Sequence, residues 1–239
     1  MKARLIGHRG WPVRQPENSL AGFSAALAVG AAAVECDIQL SCDGVPLVFH
    51  DTGLERLTGM TGDIRDLEAT ACARLRLLAP GGARSAEAPP PLAALAALLA
   101  RHPGARLYAE VKAESLERRG LTVLLPAVLQ ALAPVRAQVV IISFLAEVVR
   151  AARAAGWPAG WVLDSADTAA RAQAGALQPE YLFFDGRELP AVFGEMWRGG
   201  WQRAAYETSD AAEAHDWLYR GADWVETDDI GTLLAAPPA

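Results

Sequence analysis

Short β-rich runs alternate with alanine- and leucine-rich stretches of helical spacing along nearly the whole chain, and this recurrence leaves few architectures open. Strands are expected at Arg4 to Gly7, Ala33 to Gln39, Arg106 to Lys112, Gln138 to Ser143, Gly160 to Asp164, Tyr181 to Phe184, Arg203 to Glu207 and Asp223 to Glu226. Helices are expected at Ser19 to Ala28, Leu92 to Arg101, Leu121 to Leu132, Leu145 to Ala155, Ala166 to Ala174, Leu189 to Arg198 and Asp210 to Arg220. Eight βα units in 239 residues come close to the ~250 of a typical (β/α)8 barrel. A doubly wound open sheet is the rival, but it would usually carry a glycine-rich phosphate loop after its first strand. Neither GxGxxG nor GxxxxGK[ST] occurs. The reading is therefore α/β, a (β/α)8 TIM barrel, with one domain over residues 1–239. Between the second barrel strand and Leu92 lies a small insertion, about residues 46–91. It holds a short strand Pro46 to His50, a turn-rich Asp51 to Asp63 and a proline- and glycine-rich Ala79 to Pro91.

With 52% hydrophobic and 21% charged residues the chain can bury a large core, so disorder is excluded. Its 22 basic and 28 acidic residues leave a net charge of −6, which disfavours nucleic acid and acidic membrane surfaces as partners. An anionic small molecule would have to meet a local basic site. Cys36, Cys42 and Cys72 are odd in number and show no CxxC spacing, as free thiols in a reducing compartment would. Met1 to Arg4 is basic, but Leu5-Ile6-Gly7 is too short for a signal core, and the apolar stretches Ala21 to Val34 and Leu92 to Ala100 are too short to span a bilayer. A cytoplasmic protein without stable membrane insertion is expected.

The polar residues at strand ends carry the chemistry. His8-Arg9-Gly10 follows an apolar strand, where barrel enzymes hold catalytic groups, although alone it reads equally well as a solvated turn. Glu35 and Asp37 stand at i and i+2 and so point to one side of a strand, while Cys36 points to the other. Two acids in an otherwise apolar strand cost several kcal/mol, at order of magnitude, unless a cation compensates them. An arginine could serve; metal ligation is the stronger reading. His50-Asp51 closes the apolar run Val45 to Phe49, a second histidine where a strand gives way to a loop. Glu110 and Lys112 repeat the i, i+2 device with opposite charges, for which a self-satisfied ion pair is the plain alternative. Three carboxylates, Glu35, Asp37 and Glu110, form an all-oxygen set suited to Mg²⁺ or Ca²⁺ rather than zinc. Arg9 and Lys112 would anchor an anionic group beside it, phosphate first of all. Two histidines for proton transfer complete the equipment for cleaving a phosphodiester. His102, at a helix end, and His215, within a helix, are assigned no function.

In this order and spacing, His8-Arg9-Gly10, Pro16-Glu17-Asn18-Ser19 with Phe23, Glu35-Cys36-Asp37, His50-Asp51 and Glu110-Val111-Lys112 resemble the glycerophosphodiester phosphodiesterase family. Leu57-Thr58-Gly59 with Gly62, Ser143-Phe144, Gly221-Ala222-Asp223 and Thr227-Asp228 extend the similarity over nearly the whole chain. The resemblance implies a (β/α)8 barrel, a divalent metal on Glu35, Asp37 and Glu110, His8 and His50 as the acid/base pair, and phosphate contacts from Arg9 and Lys112. It also implies release of glycerol 3-phosphate and an alcohol from a glycerophosphodiester through a cyclic phosphate formed by the glycerol 2-hydroxyl. Glu17 and Asn18 read as loop-shaping and helix-capping residues. The chain departs from the family late, where Tyr206-Glu207-Thr208-Ser209 stands in place of Trp-Thr-Val-Asn. Tyr206 keeps an aromatic substrate contact, whereas Glu207 faces the mouth or the helices depending on register. Trp11, directly after His8-Arg9-Gly10, is expected to border the mouth and touch substrate. Two alternatives stay open: a lysophospholipid or other small-phosphodiester hydrolase, and a catalytically silent barrel that binds phosphorylated ligands.

Overall fold

The structure is a computed structural model that describes residues 4–236. Met1 to Ala3, part of the basic start considered above, lie outside the described residues. Among the described residues nine strands appear in chain order: β1 (Leu5–Gly7), β2 (Ala33–Leu40), β3 (Pro46–Val48), β4 (Arg106–Val111), β5 (Val139–Ser143), β6 (Ala159–Val162), β7 (Tyr181–Asp185), β8 (Gln202–Tyr206) and β9 (Trp224–Thr227). All except β3 pair in parallel around a closed ring. β9 meets β1 through Ile6 opposite Glu226, and β1 meets β2 through Ile6 opposite Ala33. β3 lies antiparallel on the far end of β2, with Ile38 opposite Val48, beyond the reach of the three-residue β1.

The helices are α1 (Leu20–Ala28), the single turns α2 (Glu55–Thr58) and α3 (Ala69–Cys72), α4 (Leu92–Leu99), α5 (Ala113–Arg119), α6 (Leu121–Leu132), α7 (Ala146–Ala154), α8 (Thr168–Leu177), α9 (Ala211–Tyr219) and α10 (Ile230–Ala235). Side-chain oxygens of Ser19, Asp167, Asp210 and Asp229 cap α1, α8, α9 and α10 by accepting from backbone N–H groups of the first turn. The helix expected over Leu189 to Arg198 is instead two 3-10 turns, Pro190–Phe193 and Glu195–Trp197, separated at Gly194. Proline suits only the start of a helix and glycine disfavours its interior, so the run breaks there. The helices expected from the sequence do not include α2, α3, α5 or α10; α5 is polar on most sides and carries no apolar stripe to betray it.

The period-2 alternation of each strand divides the core in two. Val34, Cys36, Ile38, Leu107, Ala109, Ile141, Leu182 and Val225 face outward and pack beneath the helices. Ile6, Ala33, Tyr108, Val140, Ile142, Val162, Phe183 and Ala204 face inward and fill the barrel, as layers of large side chains do in such barrels. A third cluster, Leu47, Phe49, Leu54, Leu57, Ile64, Cys72 and Leu77, lies beneath the segment between β3 and α4, so that segment has apolar support of its own. Among the described residues, one helical run, Leu121–Gln138, is long and apolar enough to cross a membrane. It contains Pro126 and the non-helical Val135, and buries Leu124, Leu125, Val128 and Leu132 as an outer helix of the barrel.

Candidate active site

Every inward-facing position at the carboxyl ends of β1, β2, β4, β8 and β9 carries a polar side chain, and the alternation that fills the barrel with apolar groups is what aims them. On β2 the inward face runs Ala33, Glu35, Asp37; on β4 it runs Tyr108, Glu110, Lys112, with Asp37 directly opposite Glu110. Ile6 leads to His8 on β1, and Trp224 to Glu226 on β9. His8 donates its backbone N–H to the Thr227 carbonyl at 3.0 Å, which extends the β1–β9 ladder one residue past β1. β3 brings in His50 by folding back on β2: Phe49 donates to the Asp37 carbonyl, and the Gln39 amide donates to the His50 carbonyl.

The turn after His8 is held closely. Arg9 (φ +49°) and Gly10 (φ +87°) both take left-handed backbone, and a Cβ on Gly10 would stand 2.8 Å from the backbone at Gly22 and Phe23. That geometry turns the Arg9 backbone N–H onto Glu35 Oε2 at 3.2 Å. Asn18, also left-handed and fully buried, is not the cap of α1, which is Ser19. Its amide instead donates to Asp37 Oδ2 at 2.9 Å, and its carbonyl oxygen accepts the Asp37 N–H at 3.3 Å.

Glu35, Asp37 and Glu110 each place a carboxylate oxygen within 4.8 Å of the other two. Lys112 Nζ lies 3.3 Å from Asp37 and 3.0 Å from Glu110. Arg9 Nε lies 3.1 Å from Asp37, a charge contact without the alignment of a hydrogen bond. Burial pushes Asp37 up, but Lys112 and Arg9 outweigh it and hold the carboxyl well below its usual range. Neither Lys112 nor Arg9 makes a side-chain ion pair with Glu35: burial and the charges of Asp37 and Glu226 push it well above the carboxylate range, against His8 at 4.0 Å. Its buried Oε1 has no hydrogen-bond partner among the described residues. Glu110 is raised by burial and Asp37 despite Lys112. The donor set is all oxygen and one member is orphaned, so a hard divalent cation fits these three residues.

The two imidazoles stand in opposite surroundings. His8 Nδ1 contacts Glu207 at 2.6 Å and Asp228 at 2.8 Å, while Nε2 lies 3.6 Å from Glu226 and 4.0 Å from Glu35. Burial alone would lower its pKa, yet these carboxylates hold it well above the ordinary histidine value. His50 is lowered by burial, with Arg9 and Lys112 adding to that effect against Asp37 and Asp51. A chain of alternating charge ties its ring back to the first turn. His50 Nδ1 meets Asp51 at 2.6 Å, Arg56 forks onto Asp51 and Glu17, and Glu17 holds Arg9 Nη1 at 2.9 Å.

One cavity of about 210 Å³ gathers His8, Arg9, Glu35, His50, Glu110, Lys112 and Tyr206, all singled out from the sequence, with Asp37 beside it. Its far wall is Ile142, Phe144, Val162, Phe183 and Tyr206, with Asp185, Glu207 and Glu226 among them. Trp11 does not line it, contrary to expectation. Its indole N–H donates to Asp229 at 2.9 Å, and the ring packs on Gly231 at the start of α10, so the turn carries the side chain away from the mouth. Glu207, whose direction the sequence left open, faces the mouth. Glu226, which the sequence reading does not include, stands at i+2 from Trp224 on β9, the same alternation that marks Glu35 and Asp37. Burial, with the neighbouring acids opposing His8, pushes Glu226 up to about 7.

Comparison with known proteins gives a consistent picture. The family model described as the glycerophosphoryl diester phosphodiesterase family matches residues 8–232. A glycerophosphodiester phosphodiesterase of Caldanaerobacter subterraneus is 41% identical over 66 residues, which make up 28% of this chain and 27% of that relative. Thus the match spans about a quarter of the curated relative's length. Two solved structures share the fold. An Oleispira antarctica phosphodiesterase in complex with the product sn-glycerol-3-phosphate has a TM-score of 0.80 at 23% identity, covering 96% of this chain and 94% of that one. A glycerophosphodiester phosphodiesterase from Agrobacterium tumefaciens has a TM-score of 0.77 at 21% identity, covering 98% and 99%.

Proposed function

Because the chain belongs to the glycerophosphoryl diester phosphodiesterase family, we propose that its cavity hydrolyses small glycerophosphodiesters to glycerol 3-phosphate and an alcohol. The observation that carries this reading is the pair of imidazoles, one surrounded by carboxylates and one facing two cations, on the same cavity above three converging acids. Two titratable groups whose surroundings drive them apart are suited to opposite halves of proton transfer.

His50, held neutral, takes the proton from the attacking hydroxyl. His8, held protonated by its acidic neighbours, gives its Nε2 proton to the departing alkoxide. Each then returns to its starting state when water opens the cyclic phosphate, with the roles reversed. Arg9 and Lys112 lie where they can balance the phosphate's charge, since each reaches the cavity while anchored on Asp37. Glu35, Asp37 and Glu110 would hold Mg²⁺ or Ca²⁺, which when bound supplies charge neutralisation at the phosphoryl oxygens. Tyr206 and Phe183 would pack against the leaving alcohol, with Phe144, 40% exposed, at the rim.

Purified protein given glycerophosphocholine should release glycerol 3-phosphate in a coupled enzymatic assay, and lose that activity in EDTA. His8→Ala and His50→Ala should each lower kcat by on the order of 10²–10⁴ fold. Full activity in the double variant would overturn the assignment of the acid/base pair.

A further inference from the structure

We propose that Glu207 is a positioning residue for His8, sharing with Asp228 the role of fixing the imidazole in the tautomer that turns Nε2 to the cavity. The proposal rests on the reading of His8 as the proton donor to the leaving group.

Both contacts fall on the same ring nitrogen: Nδ1 is 2.6 Å from Glu207 Oε2 and 2.8 Å from Asp228 Oδ1. An ionised carboxylate only accepts, so a nitrogen touching two of them carries the hydrogen whether the ring is neutral or charged. The other nitrogen is left for chemistry. Its nearest acids, Glu226 at 3.6 Å and Glu35 at 4.0 Å, lie beyond hydrogen-bond length, and His8 lines the cavity. This is the orienting task that a carboxylate performs behind a catalytic histidine in hydrolases of other folds.

The two acceptors arrive from different strands. Asp228 follows β9, whose ladder with β1 runs through the His8 N–H to the Thr227 carbonyl. Glu207 follows β8, one strand further round the barrel. The ring is thereby contacted from two neighbouring strands. The N–H is aligned on Asp228, which accepts the hydrogen bond, while Glu207 meets the same nitrogen as a charge contact, so loss of either leaves the other in place. That redundancy separates a positioning role from the simpler one open to a rim acid, contact with the leaving group.

The test uses the full chain with glycerophosphocholine and three variants, Glu207→Gln, Asp228→Asn and their combination, alongside ¹⁵N spectra of histidine-labelled protein at alkaline pH, with the His8 ring identified from a His8→Gln sample. Wild-type His8 should show a protonated Nδ1 and an unprotonated Nε2. Each single variant should lose less than about tenfold in kcat at unchanged KM. The double variant should lose on the order of 10² fold or more, its ring moving to a mixture of tautomers. Aspartate at 207 in the Asp228→Asn background should restore part of the loss. A Glu207→Gln variant that raises KM and leaves kcat alone, or a double variant with unchanged kcat and tautomer, overturns the proposal. A wild type that shows the expected tautomer but cleaves no glycerophosphodiester supports the positioning and removes only the functional reading beneath it.

Discussion

Asp37 and Glu110 stand directly opposite each other on neighbouring parallel strands, and the ammonium of Lys112 touches both, at 3.3 and 3.0 Å. The lysine compensates two of the three converging acids and leaves Glu35, whose Oε1 has no hydrogen-bond partner among the described residues, with only the His8 ring at 4.0 Å. The arrangement is therefore short of positive charge at one defined place, and this has measurable consequences.

Added Mg²⁺ or Ca²⁺ should raise the melting temperature. A ligand bound only by the folded state adds about 2.7 kcal/mol of stability at a hundredfold excess over its Kd. Glu35→Gln should abolish the ion-dependent part of the shift while the protein remains folded. Scanning calorimetry with each ion and with EDTA checks this; a melting point indifferent to both ions would contradict the proposed metal set.

The pH profile of kcat/KM should be a broad bell. His50 lies below the ordinary value of about 6.5 because of burial and the charges of Arg9 and Lys112, so it stays a neutral base to lower pH and the acid limb falls below that value. His8, held well above the ordinary value by its carboxylates, keeps its proton to higher pH and moves the alkaline limb up. Asp51 raises His50, so Asp51→Asn should move the acid limb further down. Rate measurements from pH 4 to 10, on the order of the range these limbs require, decide between this outcome and a single limb near neutrality.

Arg56 is half exposed, yet it bridges the acid that holds His50 and the acid that holds Arg9. Arg56→Ala should cost at most ~1 kcal/mol of stability, as exposed ion pairs do. It should nonetheless lower kcat/KM by about tenfold, because Asp51 and Glu17 are released together. Arg56→Lys should recover little, since an ammonium cannot reproduce both forks. Denaturant titration and steady-state kinetics on the same preparations separate the two effects.

Asn18→Ala should destabilise the fold by about 1–3 kcal/mol, because it leaves the Asp37 N–H and a carboxylate oxygen buried without their partner. Its left-handed backbone adds a further cost for a residue with a Cβ and no polar side chain. The midpoint of urea unfolding should shift at unchanged slope. An unaltered midpoint would mean that water replaces the amide.

The inward or outward direction of a side chain on a strand is a property of its nearest neighbours, so the alternation in Ala33 to Asp37 and in Arg106 to Lys112 was enough to place Glu35, Asp37, Glu110 and Lys112 on one surface and Cys36 on the other. The count of βα units pointed to the closed barrel for the same reason: each unit is local. Pro190 and Gly194, which break the helix expected over Leu189 to Arg198 into 3-10 turns, are equally visible in the chain. What no local pattern contained was which strand ends meet. His8 finds Asp228 some 220 residues away only because β9 closes onto β1, and it finds Glu207 because β8 stands next in the ring. Trp11 leaves the mouth for α10 for the same reason, since the last helix returns beside the first strand. Residue parity and motif order are written along the chain; the field around each imidazole is a sum over charges from distant segments, and it comes into being only when the barrel shuts.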